Sequence, residues 1–470
     1  MTAGTKDFAT SIVRTLRDRA HKAYLVGGCV RDLLLGREPA DYDVATDATP
    51  VEVMRIFPET YAVGAQFGVV LVPVADKQQG PRRSPNLAVQ GLDSARDDKE
   101  KRGESTTVEV ATFRSDIGYS DGRHPDEVRF TKDPREDVQR RDFTINGLLL
   151  DPISGEVLDF VGGRKDLDGG IIRTIGDPDR RFGEDKLRML RAVRFAARFG
   201  YTIEATTMKA IQKLTPQIYQ VSRERVRDEL TKMLTEGHAR AAFLLLDETG
   251  LLHEVLPEIE KMKGVEQPPQ FHPEGDVFVH TLLLLEKLPH PCPATLAWGA
   301  LLHDVGKPPT FRVAPERIRF DNHVEVGVRM AEEVCRRLRF SNDDTEQILA
   351  LVDNHMRFAH AQRMSESTFK KFVRMPAFGE HLELHRLDCQ ASHGDLTTYR
   401  FTQEKMAAMP PEAMRPTPLI TGADLIAAGY PPGPRFKQIL AAVEDGQLES
   451  RLHSRDEALN FVAREFPVSG

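Results

Sequence analysis

Asp41-Tyr-Asp43 places two carboxylates two residues apart at the start of a strand-like stretch, Asp41–Thr46. Side chains alternate along a strand, so both carboxylates leave from the same side. Held that close they repel each other unless a cation lies between them, and hard oxygen donors suit Mg²⁺. Just upstream, Leu25-Val-Gly-Gly-Cys-Val-Arg-Asp-Leu-Leu-Leu-Gly36 reads as a strand, a glycine turn and a short helix. Gly27 and Gly28 carry no Cβ to block close approach, and the turn offers backbone N–H groups and a helix start to a phosphate. A metal site and a phosphate site inside one short unit point to phosphoryl or nucleotidyl transfer.

The elements around this unit position it. Phe8, Ile12, Val13 and Leu16 recur at helical spacing before the strand Ala23–Val26. Thr49-Pro50 is a helix start, with Thr as N-cap and Pro at the first helical position, leading into Val51–Phe57. Val63–Val74 and Val108–Phe113 read as strands. Between them, 76–106 is rich in both charges and poor in apolar residues, so it is expected to be a mobile insertion. Beyond residue 160 the pattern turns helical to the end, with one helix over Gly183–Phe199 and another over Ser222–Thr235. In the first, Leu187, Leu190 and Val193 line one face while Arg188, Arg191 and Arg194 keep the same interval on another. An all-helical, histidine-rich stretch fills 270–395, and Pro410–Pro418 is a linker to a small helical tail.

The bulk composition narrows the classes. A chain of 470 residues with 40% hydrophobic and 29% charged residues is that of a soluble globular protein with about three domains. Apolar runs such as Thr281–Leu285 fall far short of the ~20 residues of a membrane span, and the charged N-terminus is no signal peptide. Cys29, Cys292, Cys335 and Cys389 form no C-x-x-C pair, which argues for a reducing cytoplasm and against structural zinc. The net charge of −7 speaks against a basic nucleic-acid binder, although basic residues concentrate between Arg173 and Lys232.

The Gly27–Asp43 stretch resembles motif A of the polymerase-beta nucleotidyltransferase superfamily, and within it the class II CCA-adding tRNA nucleotidyltransferases and bacterial poly(A) polymerases. Val108–Arg114 resembles the strand that brings up a third carboxylate, here Glu109, which completes the acidic cluster or acts as base. Arg140-Arg-Asp-Phe-Thr-Ile-Asn146 resembles the ribose-recognition motif, with Arg141 for phosphate and Asp142 and Asn146 for sugar hydroxyls. Glu184-Asp-Lys-Leu-Arg188 matches the E-D-x-x-R motif that selects the nucleotide. Asp185 can accept from the exocyclic amine shared by cytosine and adenine, whereas uracil and guanine present a carbonyl there. The resemblance assigns Gly28, Arg31, Arg141, Arg191 and Arg194 to the nucleotide's phosphates and sugar, Asp185 and Arg188 to its base, and Asp41 and Asp43 to Mg²⁺. Ser222–Leu230 resembles the family's last motif; its arginines pair within the fold or touch RNA.

Farther on, His280, His303-Asp304, His323, His355 and Asp388 fit the HD phosphohydrolase pattern. His280, His303, Asp304 and Asp388 are the implied ligands of Mn²⁺, Ni²⁺ or Mg²⁺, with a phosphatase or 2′,3′-cyclic phosphodiesterase activity. Adjacent His303 and Asp304 reach one cation only from a helix end, which Gly306-Lys-Pro-Pro309 supplies.

The implied fold is α+β: a polymerase-beta-like head with a mixed sheet over 1–150, a helical neck over 151–265, an HD body over 266–408 and a linker and tail over 409–470. The implied partners are tRNA, CTP and ATP, with no membrane, for a cytoplasmic monomer or homodimer. Three rivals stay open. A poly(A) polymerase shares this head, although Val63–Val70 is closer to the CCA type. A CC-adding or A-adding enzyme of a split pair is another, and Tyr119–Pro125, which resembles the loop that switches specificity, disfavours the CC-only form. An HD phosphohydrolase with a nucleotide-sensing head is opposed by the intact Asp41, Asp43, Asp185 and Arg188.

Overall fold

The computed structural model describes residues 2–62, 67–74, 107–119, 122, 125–315 and 317–467. The 76–106 insertion, the start of Val63–Val70 and much of Tyr119–Pro125 lie outside the described residues. The chain divides into two compact units, one of Met1–Leu230 with Ala241–Val255, the other of Thr231–Arg240 with Leu256–Gly470.

The first unit is built on a six-stranded mixed sheet of β1 (Ala23–Val26), β2 (Asp43–Thr46), β3 (Val69–Pro73), β4 (Thr107–Thr112), β7 (Leu148–Leu150) and β8 (Val157–Asp159), in the order β3-β4-β2-β1-β7-β8. A separate hairpin pairs β5 (Arg114–Ile117) with β6 (Glu127–Phe130). β2 runs parallel to β4, and the other four pairings in the sheet are antiparallel. Along β4, Val108 and Val110 are buried while Glu109 stays partly open, the period-2 alternation of a strand with one face on the core. The helix Thr2–Asp18 buries Ile12, Val13 and Leu16. Helix Pro50–Ile56 starts as its sequence predicts, with Thr49 and Glu52 forming a reciprocal capping box.

Two local readings change. Asp41 precedes β2 rather than lying in it, because β1 leaves the ladder at Gly27 and offers Asp41 and Tyr42 no partner. Gly183–Phe199 is not one helix: Pro178–Glu184 and Leu187–Phe199 meet at an elbow at Asp185 (φ −149°, ψ 109°). The Asp185 carboxylate accepts the Leu187 N–H at 3.0 Å, a local bond that competes with helix continuation. In Leu187–Phe199 the apolar face is buried as predicted, but Arg194 is buried too, so the arginines do not form a solvent stripe.

The second unit is helical around Ala294–Leu302, whose Leu296–Leu302 run is buried and whose Trp298 indole donates to the Thr231 hydroxyl at 2.9 Å. Its tail packs a small core of Ile420, Leu425, Tyr430, Ile439, Val443 and Val462. The helical pattern beyond residue 160 has exceptions: a two-residue parallel pairing of Ile171–Ile172 with Thr202–Ile203, and a hairpin of Phe311–Ala314 with Arg317–Phe320. The 410–418 linker holds a short helix, Pro411–Met414. No described helix is long and apolar enough to cross a membrane.

Candidate active site and a buried histidine cluster

The parallel pairing of β2 with β4 sets Asp43 directly beside Glu109. Side chains at paired positions of neighbouring strands leave the same face, so two carboxylates stand side by side at the mouth of the sheet, with exposed Asp41 just before them. The oxygens of Asp41, Asp43 and Glu109 do not converge to within 4.8 Å of one another as three described metal-capable groups elsewhere do. Hard oxygen donors at a strand mouth still fit a divalent cation.

Gly27 adopts φ +77°, a conformation that favours glycine. A Cβ there would lie 3.4 Å from Arg141 Nη1, so the Arg141 guanidinium rests against the turn. Arg141 is steadied by Asp137 at 2.9 Å, and Asp137, 1% exposed, also holds Arg140 at 2.8 Å. Behind the turn, burial and then the Asp43 charge push the Cys29 thiol up to about 12, so it stays protonated and is no nucleophile.

The other predicted phosphate ligands are committed to a charged network. Arg31 is buried, donates to Asp32 at 2.8 Å and to Asn146 Oδ1 at 2.7 Å, and lies over the Phe199 ring at 4.6 Å. Asn146 donates to Asp142 at 3.1 Å, and the other Asp142 oxygen accepts Arg191 Nε and Nη2 at 2.9 and 2.7 Å. Arg194 donates to buried Glu229 at 2.6 Å. Burial opposes the charge on Asp142, but the charge and hydrogen bonds of Arg191, the Asn146 amide and the Arg188 charge together outweigh it and hold the carboxyl below the usual range. Arg31, Asn146, Asp142 and Arg191 thus tie the glycine-turn helix, the sugar motif and the helix Leu187–Phe199 into one frame. Its arginines shape the site rather than stand open in it.

The proposed base readers are each engaged elsewhere. Asp185 accepts Arg225 Nη2 at 2.8 Å, and Arg188 donates to Glu184 at 3.0 Å and to the Arg140 carbonyl at 3.3 Å. Asp185 and Arg188 sit one turn apart, joined by the Arg188 N–H donating to the Asp185 carbonyl at 3.1 Å while their side chains bond other partners. Arg225 pairs within the fold rather than standing free for RNA. Glu229 and the Arg225–Asp185 pair carried no sequence signal, since their partners lie far along the chain, whereas Asp137 sits three and four residues before Arg140 and Arg141, a spacing that was open to reading.

In the second unit, the helix Ala294–Leu302 ends at His303, and a short helix, Lys307–Thr310, starts after Gly306. A Cβ on Gly306 would meet the His323 carbonyl at 2.0 Å, so glycine lets these backbones touch. The Nδ1 atoms of His303, His323 and His355 face the Ala300, Phe320 and Val352 carbonyls at 2.8, 3.0 and 2.7 Å. That bond puts the proton on Nδ1 and leaves a lone pair on Nε2. The buried Nε2 atoms of His280, His303, His323 and His355 have no hydrogen-bond partner, and all lie between 3.2 and 4.0 Å from Asp304. Asp304 belongs to two metal-capable groups, one with His280 and His303 and one with His323 and His355. Asp388 stands 3.1 Å from His280 Nε2. Four orphaned imidazole nitrogens around a carboxylate are a donor set that fits divalent metal.

Burial and then His303 hold His355 down at about 4, neutral and ready to ligate. His280 is opposed by burial but raised to about 9 by Asp388 and Glu274. Glu274 accepts His280 Nδ1 at 2.6 Å and His272 Nδ1 at 2.9 Å, and Lys307 donates to Asp304 at 2.7 Å and to Gln267 at 2.6 Å. Sequence reasoning missed Glu274 and Lys307; His272-Pro-Glu274 and His303-Asp-x-x-Lys307 were the available signals.

Comparison with known proteins finds matches along most of the chain. Residues 23–84 and 82–173 match the "Poly A polymerase head domain", 200–263 the "Probable RNA and SrmB- binding site of polymerase A", and 276–412 the "HD domain". The CCA-adding enzyme of Geobacillus thermodenitrificans is 41% identical over 243 residues, 52% of this chain and 53% of that protein. That of Lactobacillus helveticus is 37% identical over 284 residues, 60% of this chain and 64% of the relative. The crystal structure of the Bacillus stearothermophilus CCA-adding enzyme in complex with CTP, 25% identical, superposes with a TM-score of 0.70 over 97% of this chain and 96% of that one. Domain models of the poly(A) polymerase head, its RNA-binding region and the HD domain thus match in turn along the chain, which is similar to CCA-adding enzymes over part of their length. The chain spans only 53% and 64% of the length of these two curated relatives. The Thermotoga maritima CCA-adding enzyme complexed with tRNA, at 19% identity and a TM-score of 0.54 over 97% of this chain and 94% of that one, adds support for the fold alone. Divalent metals are typical of both the head and the HD domains.

Proposed function

We propose that the chain is a template-independent tRNA nucleotidyltransferase of the cytoplasm that adds C and A, from CTP and ATP, to complete CCA at tRNA 3′ ends. The observation that carries this reading is the register of Asp43 beside Glu109, two carboxylates on adjacent parallel strands beneath the Gly27–Arg141 turn. In the reaction the tRNA 3′-oxygen forms a bond to the α-phosphorus as the bond to pyrophosphate breaks. Asp41 and Asp43 would hold Mg²⁺, whose chemistry is to lower the pKa of the hydroxyl and neutralise the departing pyrophosphate. Glu109 stands where it can complete the acidic cluster or take the proton. Arg141 and the glycine turn receive the phosphates, and the Arg31–Asn146–Asp142–Arg191 frame fixes the sugar pocket.

Base choice falls to Asp185 and Arg188. Asp185 sits at the elbow with one oxygen on the Leu187 N–H, and Arg225 orients it. It rejects uracil and guanine because their carbonyl would face a carboxylate with no proton between them, and a site built for a hydrogen bond rejects by about 10⁴–10⁵ the ligand that lacks it. The test supplies each of the four nucleoside triphosphates with labelled tRNA. C and A enter and U and G do not; Asp185→Asn, which can donate to a carbonyl, narrows that gap. Equal incorporation of all four by the wild type sinks the reading.

A second activity is favoured by the four orphaned Nε2 atoms around Asp304. His280, His303, Asp304 and Asp388, joined by His323 and His355, would hold Mn²⁺, Ni²⁺ or Mg²⁺. Such ions supply a water activated for attack on a phosphate ester, in a phosphatase or 2′,3′-cyclic phosphodiesterase. Lys307 then receives the phosphate. Phosphate release that persists in His303→Ala assigns the activity elsewhere.

A further inference from the structure

The hairpin Phe311–Phe320 has two unlike faces. Its register pairs Phe311 with Phe320, Arg312 with Arg319, Val313 with Ile318 and Ala314 with Arg317. Alternation puts Phe311, Val313, Ile318 and Phe320 on one face and Arg312, Arg317 and Arg319 on the other. The fold leaves the outer end of the apolar face uncovered. Phe311 and Val313 are 38% and 71% exposed. Arg312 stands directly opposite Arg319, a like-charge pair that destabilises a ribbon, and both lean on the single carboxylate of Asp321 at 3.3 and 2.9 Å.

The foot of the hairpin is fastened to the histidine cluster. The Phe320 ring lies 5.4 Å from Lys307 Nζ and 6.4 Å from the His323 ring, and its carbonyl accepts His323 Nδ1. Phe311 lies a further 6.0 Å on from Phe320. Lys307 itself bonds Asp304, so an exposed aromatic ring stands two ring-steps from the phosphate end of the HD site. Phe271 and Met356, 61% and 48% exposed, adjoin His272 and His355 in sequence. Apolar side chains around a polar centre suit a ligand with a flat base next to a phosphate.

We propose that this hairpin is the substrate-reading lip of the HD site, with Phe311 carrying the terminal nucleobase of an RNA strand whose 3′ phosphate enters the His–Asp cluster. The strand then passes over the edge of the two-stranded ribbon, where Arg312, Arg317 and Arg319 on the opposite face take the phosphates of the preceding nucleotides. The inference rests on the HD phosphohydrolase reading above. The arginines favour a strand over a single nucleotide: strands rise about 3.4 Å per residue, so a mononucleotide seated at Lys307 and Phe311 leaves the rest of the hairpin unused. Stacked bases and arginine-held phosphates are how proteins grip single strands.

The test uses the full chain. In the metal-free protein, a short RNA with 4-thiouridine at its 3′-phosphorylated end is photocrosslinked and the modified peptide identified; it should carry Phe311. With Mn²⁺ added, KM is compared for RNA ending in 2′,3′-cyclic phosphate, for the free cyclic nucleotide and for a base-free cyclic phosphate ester. Phe311→Ala should raise KM for both base-bearing substrates relative to the base-free one by about 5- to 150-fold. Arg312→Ala with Arg319→Ala should raise it for RNA alone. A uniform loss across substrates marks a merely structural hairpin and overturns the proposal, as does a crosslink away from the hairpin. An arginine variant that leaves RNA unchanged makes a free nucleotide the ligand and also overturns it. Absence of any hydrolysis by the wild type defeats the HD reading, while the crosslink still decides the hairpin.

Discussion

Asp142 is the hinge of the frame around the sugar pocket, and Asp142→Asn tests it with little change of shape. The amide keeps an acceptor for the Phe143 N–H, at 2.8 Å in the wild type, but removes the charge facing Arg191. Breaking a fully buried ion pair costs about 3–5 kcal/mol because the surviving charge is stranded. Arg191 keeps 32% of its side chain exposed and has Glu229 within 4.0 Å, so it is only partly stranded. The expected loss is therefore about 2 kcal/mol at neutral pH. The folded-state pKa of Asp142 is depressed below its unfolded value of about 3.9. Its stabilisation is then fully present above about pH 4 and fades as pH falls through the folded value. Urea melts of both proteins from pH 7 down to the acid limb read this directly: the gap should hold from pH 7 to about 5 and shrink below about 4. A variant as stable as the wild type at pH 7, or a gap that does not close in acid, refutes the reasoning.

Glu274→Gln should weaken metal binding at the histidine cluster by about 10- to 100-fold, because His280 loses the carboxylate that fixes its orientation; dialysis with metal analysis measures it. Gly306→Ala places a methyl against the His323 carbonyl and should abolish metal uptake there; unchanged metal content would mean that the two backbones can separate. Arg225→Ala releases Asp185 from its 2.8 Å pair and should raise KM for CTP and ATP and admit more UTP; steady-state incorporation measures both. Asp43→Asn should remove incorporation altogether, read with CTP and a tRNA ending at the base before CCA and with ATP and a tRNA ending at CC.

Much of the fold was legible in the sequence because its signals are local. The strand Ala23–Val26 and the Thr49–Pro50 cap follow from residue type and short spacing. The buried face of Leu187, Leu190 and Val193 follows from helical period. The elbow at Asp185 escaped because a polar residue inside a good helical pattern looks harmless until its carboxylate is seen capping Leu187. The setting of Arg31 was hidden for a related reason: an arginine after a glycine turn suits phosphate, and nothing local announces that Asn146 and Phe199 enclose it. The Asp43–Glu109 register and the meeting of His280, His303, His323 and His355 on Asp304 are long-range facts. Chemistry and spacing named these residues, but only the sheet pairing and the glycine contact at Gly306 show how the chain gathers them.

The central claim is that one head adds C, then C, then A without a nucleic-acid template. Its most direct measurement gives the protein and Mg²⁺ a tRNA ending at the base before CCA, with CTP and ATP together, and resolves the products to single nucleotides. The account predicts growth by three residues to CCA and a stop there. Long A tails, a halt at CC, addition of A alone to tRNA already ending in CC, or no growth at all would contradict it.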